Sequence, residues 1–165
     1  MRTVTALFVG LGSIGTRHLK NLANLCADRG WTLQADALRS DLSRPLRDGV
    51  AALLHAQYTD LTAAPAQYDM VFITNPTSLH AEALAQVKGR GGALFIEKPI
   101  FSAEQTGLAL ADYLPAGQKA YVAAPMRWCG VMLALKELLP ALHPYCARVI
   151  CSSYLPDWRP GVDYR

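Results

Sequence analysis

Short unbroken apolar runs alternate along this chain with longer stretches of helical period. The runs at 4–9, 33–38, 70–74, 93–96 and 120–123 span four to six residues and hold one charged side chain, Asp36. Runs of that length read as strands buried on both faces. Between them, 13–28, 78–87, 102–113 and 131–139 repeat their apolar positions at helical spacing. A short helix near 48–54, a short strand at 57–59 and a last β-like run at 148–154 complete the pattern. Local chemistry punctuates it. Pro76 ends a strand, Thr77 is placed to cap the next helix and Gly89 to stop it, and Ser102-Ala103-Glu104-Gln105 is a capping box. Alternating strands and helices predict an α/β fold, a doubly wound parallel sheet covered on both faces.

Composition narrows the class. With 165 residues, 52% hydrophobic and 18% charged, the chain suits one ordinary domain with a real core. A net charge of +3 without a basic run argues against nucleic acid. No apolar stretch is long enough for a membrane span, and the first is broken by glycines and followed by Arg17, His18 and Lys20 rather than a cleavage site. The four cysteines, Cys26, Cys129, Cys146 and Cys151, have no metal-binding spacing, so they read as reduced, mostly buried thiols of a cytoplasmic protein. Nothing suggests a metal site, and the absence of Gly-x-Ser-x-Gly leaves a serine hydrolase unsupported.

The first run leads straight into Gly10-Leu11-Gly12-Ser13-Ile14-Gly15, and a helix follows at once. In that context Gly10 serves a tight turn, Gly12 lets backbone approach a pyrophosphate, and Gly15 allows close helix–strand packing. The N–H groups of Ser13, Ile14 and Gly15 then open towards the phosphates. In such sheets ligands bind outside the carboxyl ends of the strands. Three further strand ends carry marked residues: Arg39-Ser40, Thr74-Asn75-Pro76 and Glu97-Lys98-Pro99.

The residue at the second strand's end separates NAD from NADP, an acid taking the ribose 2′-hydroxyl and an arginine the 2′-phosphate. Arg39 and Ser40 stand at the exit and favour NADP; were the strand three residues shorter, Asp36 would take the place and favour NAD. Lys98 is the candidate for chemistry, because a lysine beside a nicotinamide and a substrate hydroxyl can orient that hydroxyl or relay its proton. His80 is either a lining residue at the nicotinamide side or a structural histidine at a helix start. His18 reads as a surface or phosphate-side residue.

These residues together resemble the Gfo/Idh/MocA oxidoreductases: the glycine loop, Asn75-Pro76 followed by His80, and Glu97-Lys98-Pro99. The stretch from Tyr121 to Arg127 is similar to the family's segment after its sixth strand, where an arginine or asparagine often stands near the active site. The tail from Tyr154 to Arg165, with Trp158, is similar to a branch of bacterial members. The resemblance implies a two-domain NAD(P)-dependent enzyme acting on a sugar or cyclitol hydroxyl or the corresponding ketone, with Lys98 as its active-site lysine. It implies cofactor contacts from Gly10, Gly12, Ser13, Ile14, Gly15, Arg39, Ser40, Thr74, Asn75, Pro76, His80, Glu97, Lys98 and Arg127. It also implies a second α+β domain carrying an acid/base histidine, the substrate face and a homo-oligomer interface. No histidine follows His143, so 1–146 is expected to form the cofactor domain and 147–165 the start of a missing domain, with an exposed apolar patch near Tyr154 and Trp158. The chain alone would then turn over little substrate. The competing expectation is a dinucleotide-sensing regulatory module without catalysis.

Overall fold

The computed structural model describes residues 1–47 and 49–150. It separates into two compact units, Met1–Ala124 and Pro125–Arg165. The first is a six-stranded sheet, β1 (Thr3–Val9), β2 (Thr32–Leu38), β3 (Leu54–Tyr58), β4 (Tyr68–Ile73), β5 (Gly91–Ile96) and β6 (Lys119–Val122), in the order β3-β2-β1-β4-β5-β6. Every neighbouring pair is parallel. The order turns back between β1 and β4, and a crevice opens there beyond the strands' carboxyl ends.

Burial explains why β1 is central. Ala6, Leu7 and Phe8 are all fully buried, so consecutive side chains are covered on opposite faces. Leu7 and Val9 join Val71, Ile73, Leu94 and Ile96 in the core shared with helix α2 (His80–Gln86). Ala6 and Phe8 face the other way, with Leu19, Leu22 and Cys26 of helix α1 (Ser13–Asp28). On that face Phe8, Phe72, Phe95 and Tyr121 form one row across four strands, with neighbouring ring centroids 4.4, 5.2 and 5.5 Å apart. Contacts at those spacings fix strand register as well as burying area.

Several elements differ from the sequence reading. The expected helix at 102–113 is replaced by turns and a single 3-10 turn, Leu110–Tyr113. Only half of the capping box forms: Ser102 N–H donates to Gln105 Oε1 at 3.0 Å, but the Ser102 hydroxyl donates to Glu104 Oε2, and Gly107 then takes φ +88° and diverts the chain. The short helix near 48–54 is only a 3-10 turn, Ala51–Leu53, and the strand after it starts earlier than expected. The helix expected at 78–87 begins as a 3-10 turn at Thr77–Leu79, and Thr77 supplies no capping bond. Only Cys26 among the described cysteines is buried; Cys146 is exposed.

The second unit holds a 3-10 turn, Pro125–Trp128, and helix α3 (Gly130–Leu142), longer than the expected 131–139 and containing Pro140. Residues 148–150 have no regular structure, and the rest of the expected last strand and the aromatic tail lie outside the described residues. The compact first unit ends at Ala124, ahead of the expected boundary at 146.

Candidate cofactor site

A row of backbone hydrogen bonds brings the strand ends level. Gly10 N–H donates to Leu38 O, Arg39 N–H to Tyr58 O, Thr74 N–H to Val9 O and Glu97 N–H to Ile73 O, at 2.8 to 3.0 Å. The four marked strand ends therefore stand side by side, as the sequence implied. Over the ends of β1, β2 and β4 lies a cleft of about 850 Å³, a volume suited to a dinucleotide-sized ligand.

The glycine loop forms its near wall, and each glycine answers to a different constraint. Gly10 has φ +88°, and a Cβ there would stand 2.8 Å from Asn75 Cα. At Gly15 a Cβ would stand 2.3 Å from Gly10 O and 2.7 Å from Thr74 Oγ1. Thr74 Oγ1–H donates to Gly10 O at 2.7 Å, tying the end of β4 to the loop. Gly12 is the exception, because a Cβ there would meet no protein atom within 4 Å. The space beside it is open, and Gly12 lines the cleft. Gly12 is also the N-cap of α1 and offers no side-chain bond, and no acidic residue occupies the first turn. The first N–H groups of α1 and its positive dipole end are thus left for an anion.

Arg39 and Ser40 line the cleft at the exit of β2, with Asp41 and Arg44 beside them. Arg39 donates from Nη1 to Gln57 Oε1 at 2.7 Å and from Nη2 to Arg44 O. Asp36 is withdrawn from this position. It lies inside β2, 3% exposed, and its carboxylate accepts from Tyr68 Oη at 2.8 Å and faces His55 Nδ1 at 3.1 Å. Burial first, then the Asp36 hydrogen bond and charge, push the Tyr68 phenol far above its ordinary value. The acid beside Arg39 and Ser40 in the cleft wall is instead Asp41, which the sequence reading passed over. Hydrogen bonds from the Ser43 hydroxyl and backbone hold its carboxyl below the usual range, so it stays ionised.

At the far side Asn75 lines the cleft, and its Oδ1 is buried without a hydrogen-bond partner among the described residues. A buried acceptor without a partner is costly in a folded protein unless a ligand or water supplies a donor. Pro76 follows it in the wall. On the adjoining strand end Glu97 is half-buried, while Lys98 and Pro99, joined by a cis peptide bond, are exposed. His80 is not among the residues that line this cleft. Its ring is 1% exposed, with Nε2 and Nδ1 each 3.0 Å from a backbone carbonyl, Asn75 O and Ile100 O. His18 is not a plain surface residue either, because its Nε2 lies 2.7 Å from Glu97 Oε1. Arg127 is exposed on the 3-10 turn of the second unit. Among the described residues no cluster of ligating side chains could hold a metal ion, and no helix is long and apolar enough to cross a membrane.

The open-faced Gly12, the uncapped helix start, the partnerless Asn75 Oδ1 and the cleft volume all fit a pyrophosphate-linked dinucleotide.

Known proteins agree. The chain is 28% identical over 104 residues to the uncharacterized oxidoreductase YrbE of Bacillus subtilis (strain 168), a match covering 62% of this chain and 30% of that protein. Among solved structures, the WlbA dehydrogenase of Chromobacterium violaceum, in complex with NADH and UDP-GlcNAcA, superposes with a TM-score of 0.65 at 24% identity. That match covers 86% of this chain and 41% of WlbA. The scyllo-inositol dehydrogenase of Lactobacillus casei, with bound NAD(H) and scyllo-inositol, gives 0.65 at 24% identity, covering 85% and 42%. The chain thus spans well under half the length of these relatives. Residues 4–122 match the Gfo/Idh/MocA oxidoreductase family over its NAD-binding Rossmann fold, and to that family this chain belongs.

Proposed function

We propose that this chain is the cofactor-binding part of an enzyme that transfers hydride between a nicotinamide dinucleotide, preferentially NADP, and a sugar, cyclitol or sugar-derivative hydroxyl or ketone. Gly12 carries the reading: a Cβ there touches nothing in the protein, at the uncapped start of a helix and the edge of a cleft.

When bound, the cofactor supplies the hydride chemistry. The N–H groups of Ser13, Ile14 and Gly15 take the pyrophosphate, with Gly10 and Gly15 allowing the loop to close against Thr74 and Asn75. Arg39 and Ser40 take the ribose 2′-phosphate. Among the described residues two of the five Arg39 N–H donors hold the guanidinium in place, and the others are offered to the phosphate. Asn75 Oδ1 accepts from the cofactor near its nicotinamide half, and Pro76 walls that side. Lys98 Nζ holds the substrate oxygen and carries its proton; Glu97 fixes the backbone beside it, accepting from Lys98 N–H at 3.2 Å. Residues 147–165 open the substrate domain, which supplies the second acid/base group, most substrate contacts and the oligomer interface. The substrate class follows the relatives, whose structures hold scyllo-inositol or UDP-GlcNAcA.

The test is a titration of the chain with NADPH and NADH in parallel at one fixed salt concentration. A charge-assisted bond to the phosphate is worth about 1.5–3 kcal/mol, so NADPH should bind about tenfold or more tighter. Arg39→Ala should remove that advantage and leave NADH affinity within about twofold of its starting value. Preference for NADH that survives Arg39→Ala would hand the ribose contact to Asp41.

A further inference from the structure

The segment 97–100 carries Lys98, and two histidines grip it from the helices on opposite faces of the sheet. At its start, His18 of α1 donates from Nε2 to Glu97 Oε1 at 2.7 Å. The two side chains are only 19% and 13% exposed, and the imidazole stands edge-on to Phe95 with centroids 4.8 Å apart. At its end, the buried His80 of α2 sets Nδ1 3.0 Å from Ile100 O and Nε2 3.0 Å from Asn75 O. Between these two points only Lys98 and Pro99 are exposed. Whichever ring nitrogen of His80 carries the proton meets a carbonyl, so each neutral tautomer holds one loop and the charged ring holds both.

A buried histidine at a helix start is ordinarily no more than a satisfied core residue. Here the acceptors decide otherwise, because one belongs to the cleft wall and the other to the segment bearing Lys98. Both grips also lead back to the glycine loop. His18 lies one turn beyond Gly15 on α1, and the Asn75 residue held by His80 packs its Cα over Gly10.

We infer that His18 and His80 are positioning residues that together fix where Lys98 stands relative to Asn75 and the glycine loop. The inference rests on the reading that Lys98 faces the bound nicotinamide. The two histidines touch neither cofactor nor substrate. They replace the freedom of a strand exit with two side-chain ties, one to a carboxylate and one to a backbone carbonyl, Ile100 O or Asn75 O according to the tautomer, and to both when the ring is charged.

The experiment uses the full chain with its lysines reductively methylated with a carbon-13 label, the Lys98 resonance being assigned by its loss in Lys98→Arg. Spectra are recorded for the free chain and with added NADPH or NADH. In the unsubstituted chain a single Lys98 resonance should shift on adding dinucleotide. His80→Leu and His18→Phe should each split or move that resonance in the free chain and cut the dinucleotide-induced shift at least twofold. His80→Gln and His18→Gln, which keep an N–H donor, should restore most of it. Lys20, Lys88 and Lys119 should not move. An unchanged Lys98 resonance in both His80→Leu and His18→Phe would overturn the inference. If His80→Leu fails to fold, His18→Phe decides alone, because it keeps the ring against Phe95 and removes only the bond. A Lys98 resonance blind to a dinucleotide that does bind would instead sink the reading on which the inference stands, whatever the variants show.

Discussion

At the glycine loop most fixed points are backbone: Gly10 N–H on Leu38 O, the Asn75 Cα over Gly10, and the Gly10 carbonyl beneath Gly15. At the exit of β5 the fixed points are side chains, His18 on Glu97 and His80 on two carbonyls. The first end takes its shape from residues that lack a side chain, and the second from side chains that reach across the fold. At Gly10 and Gly15 the loop therefore tolerates little steric change, whereas the segment bearing Lys98 can be loosened one bond at a time. That contrast suits a site whose phosphate grip is common to many substrates and whose chemical end is tuned to one.

Gly15→Ala should break the first end most severely. Its Cβ would stand 2.3 Å from a backbone oxygen that has nowhere to go, so helix or loop must shift. Overpacking of this kind costs about 1–3 kcal/mol, and urea unfolding should report a lowered midpoint with an unchanged slope. Cofactor affinity should fall with it, because the loop that cradles the phosphate is the part displaced.

This end was legible in the sequence, and the other was not, for one physical reason. The glycine loop is local: strand, turn and helix follow within a dozen residues, and their spacing states the geometry. The strand runs were legible as well from their apolar character, although β6, at the sheet edge, holds no buried residue. His18 and Glu97 are 79 residues apart, and only the register of the parallel strands brings them together. The ribose contact turned on a boundary. Because Gly10 N–H bonds Leu38 O, β2 runs to Leu38, and Asp36 stays inside the sheet where Tyr68 engages it. The helix expected at 102–113 shows a local signal overruled locally, since only half of the capping box formed and a glycine five residues after Ser102 turned the chain away.

Asp36 offers a second region fixed by side chains, and Tyr68→Phe sharpens the comparison there. Losing the phenol leaves a buried carboxylate one donor short, a cost of about 1–3 kcal/mol at neutral pH. The phenol's pKa is raised in the folded chain, so its contribution is fully present below the ordinary tyrosine value near 10 and lost as pH rises beyond it. Stability of the unsubstituted chain should therefore fall with pH above about 10, and fall less steeply in Tyr68→Phe. Denaturant midpoints from pH 8 to about 11.5 would show this. Parallel profiles would mean that the phenol ionises as readily folded as unfolded.

The smallest effect on stability is the most informative, since it separates a glycine required by the fold from one required by a ligand. Gly12 has φ −66° and ψ −165°, which alanine adopts without strain, and the space around its Cβ is empty. Gly12→Ala should thus change stability by less than about 1 kcal/mol, because the gain through the unfolded state is offset by alanine's poor fit to the N-cap of α1. The added methyl should also stand where the pyrophosphate approaches and weaken dinucleotide binding by about tenfold or more. The most direct test is to measure both quantities on one preparation, melting temperature without ligand and affinity for NADPH and NADH. Nearly unchanged stability with lost binding would establish that the cleft over Gly12 is the cofactor site; unchanged affinity at any stability would contradict it.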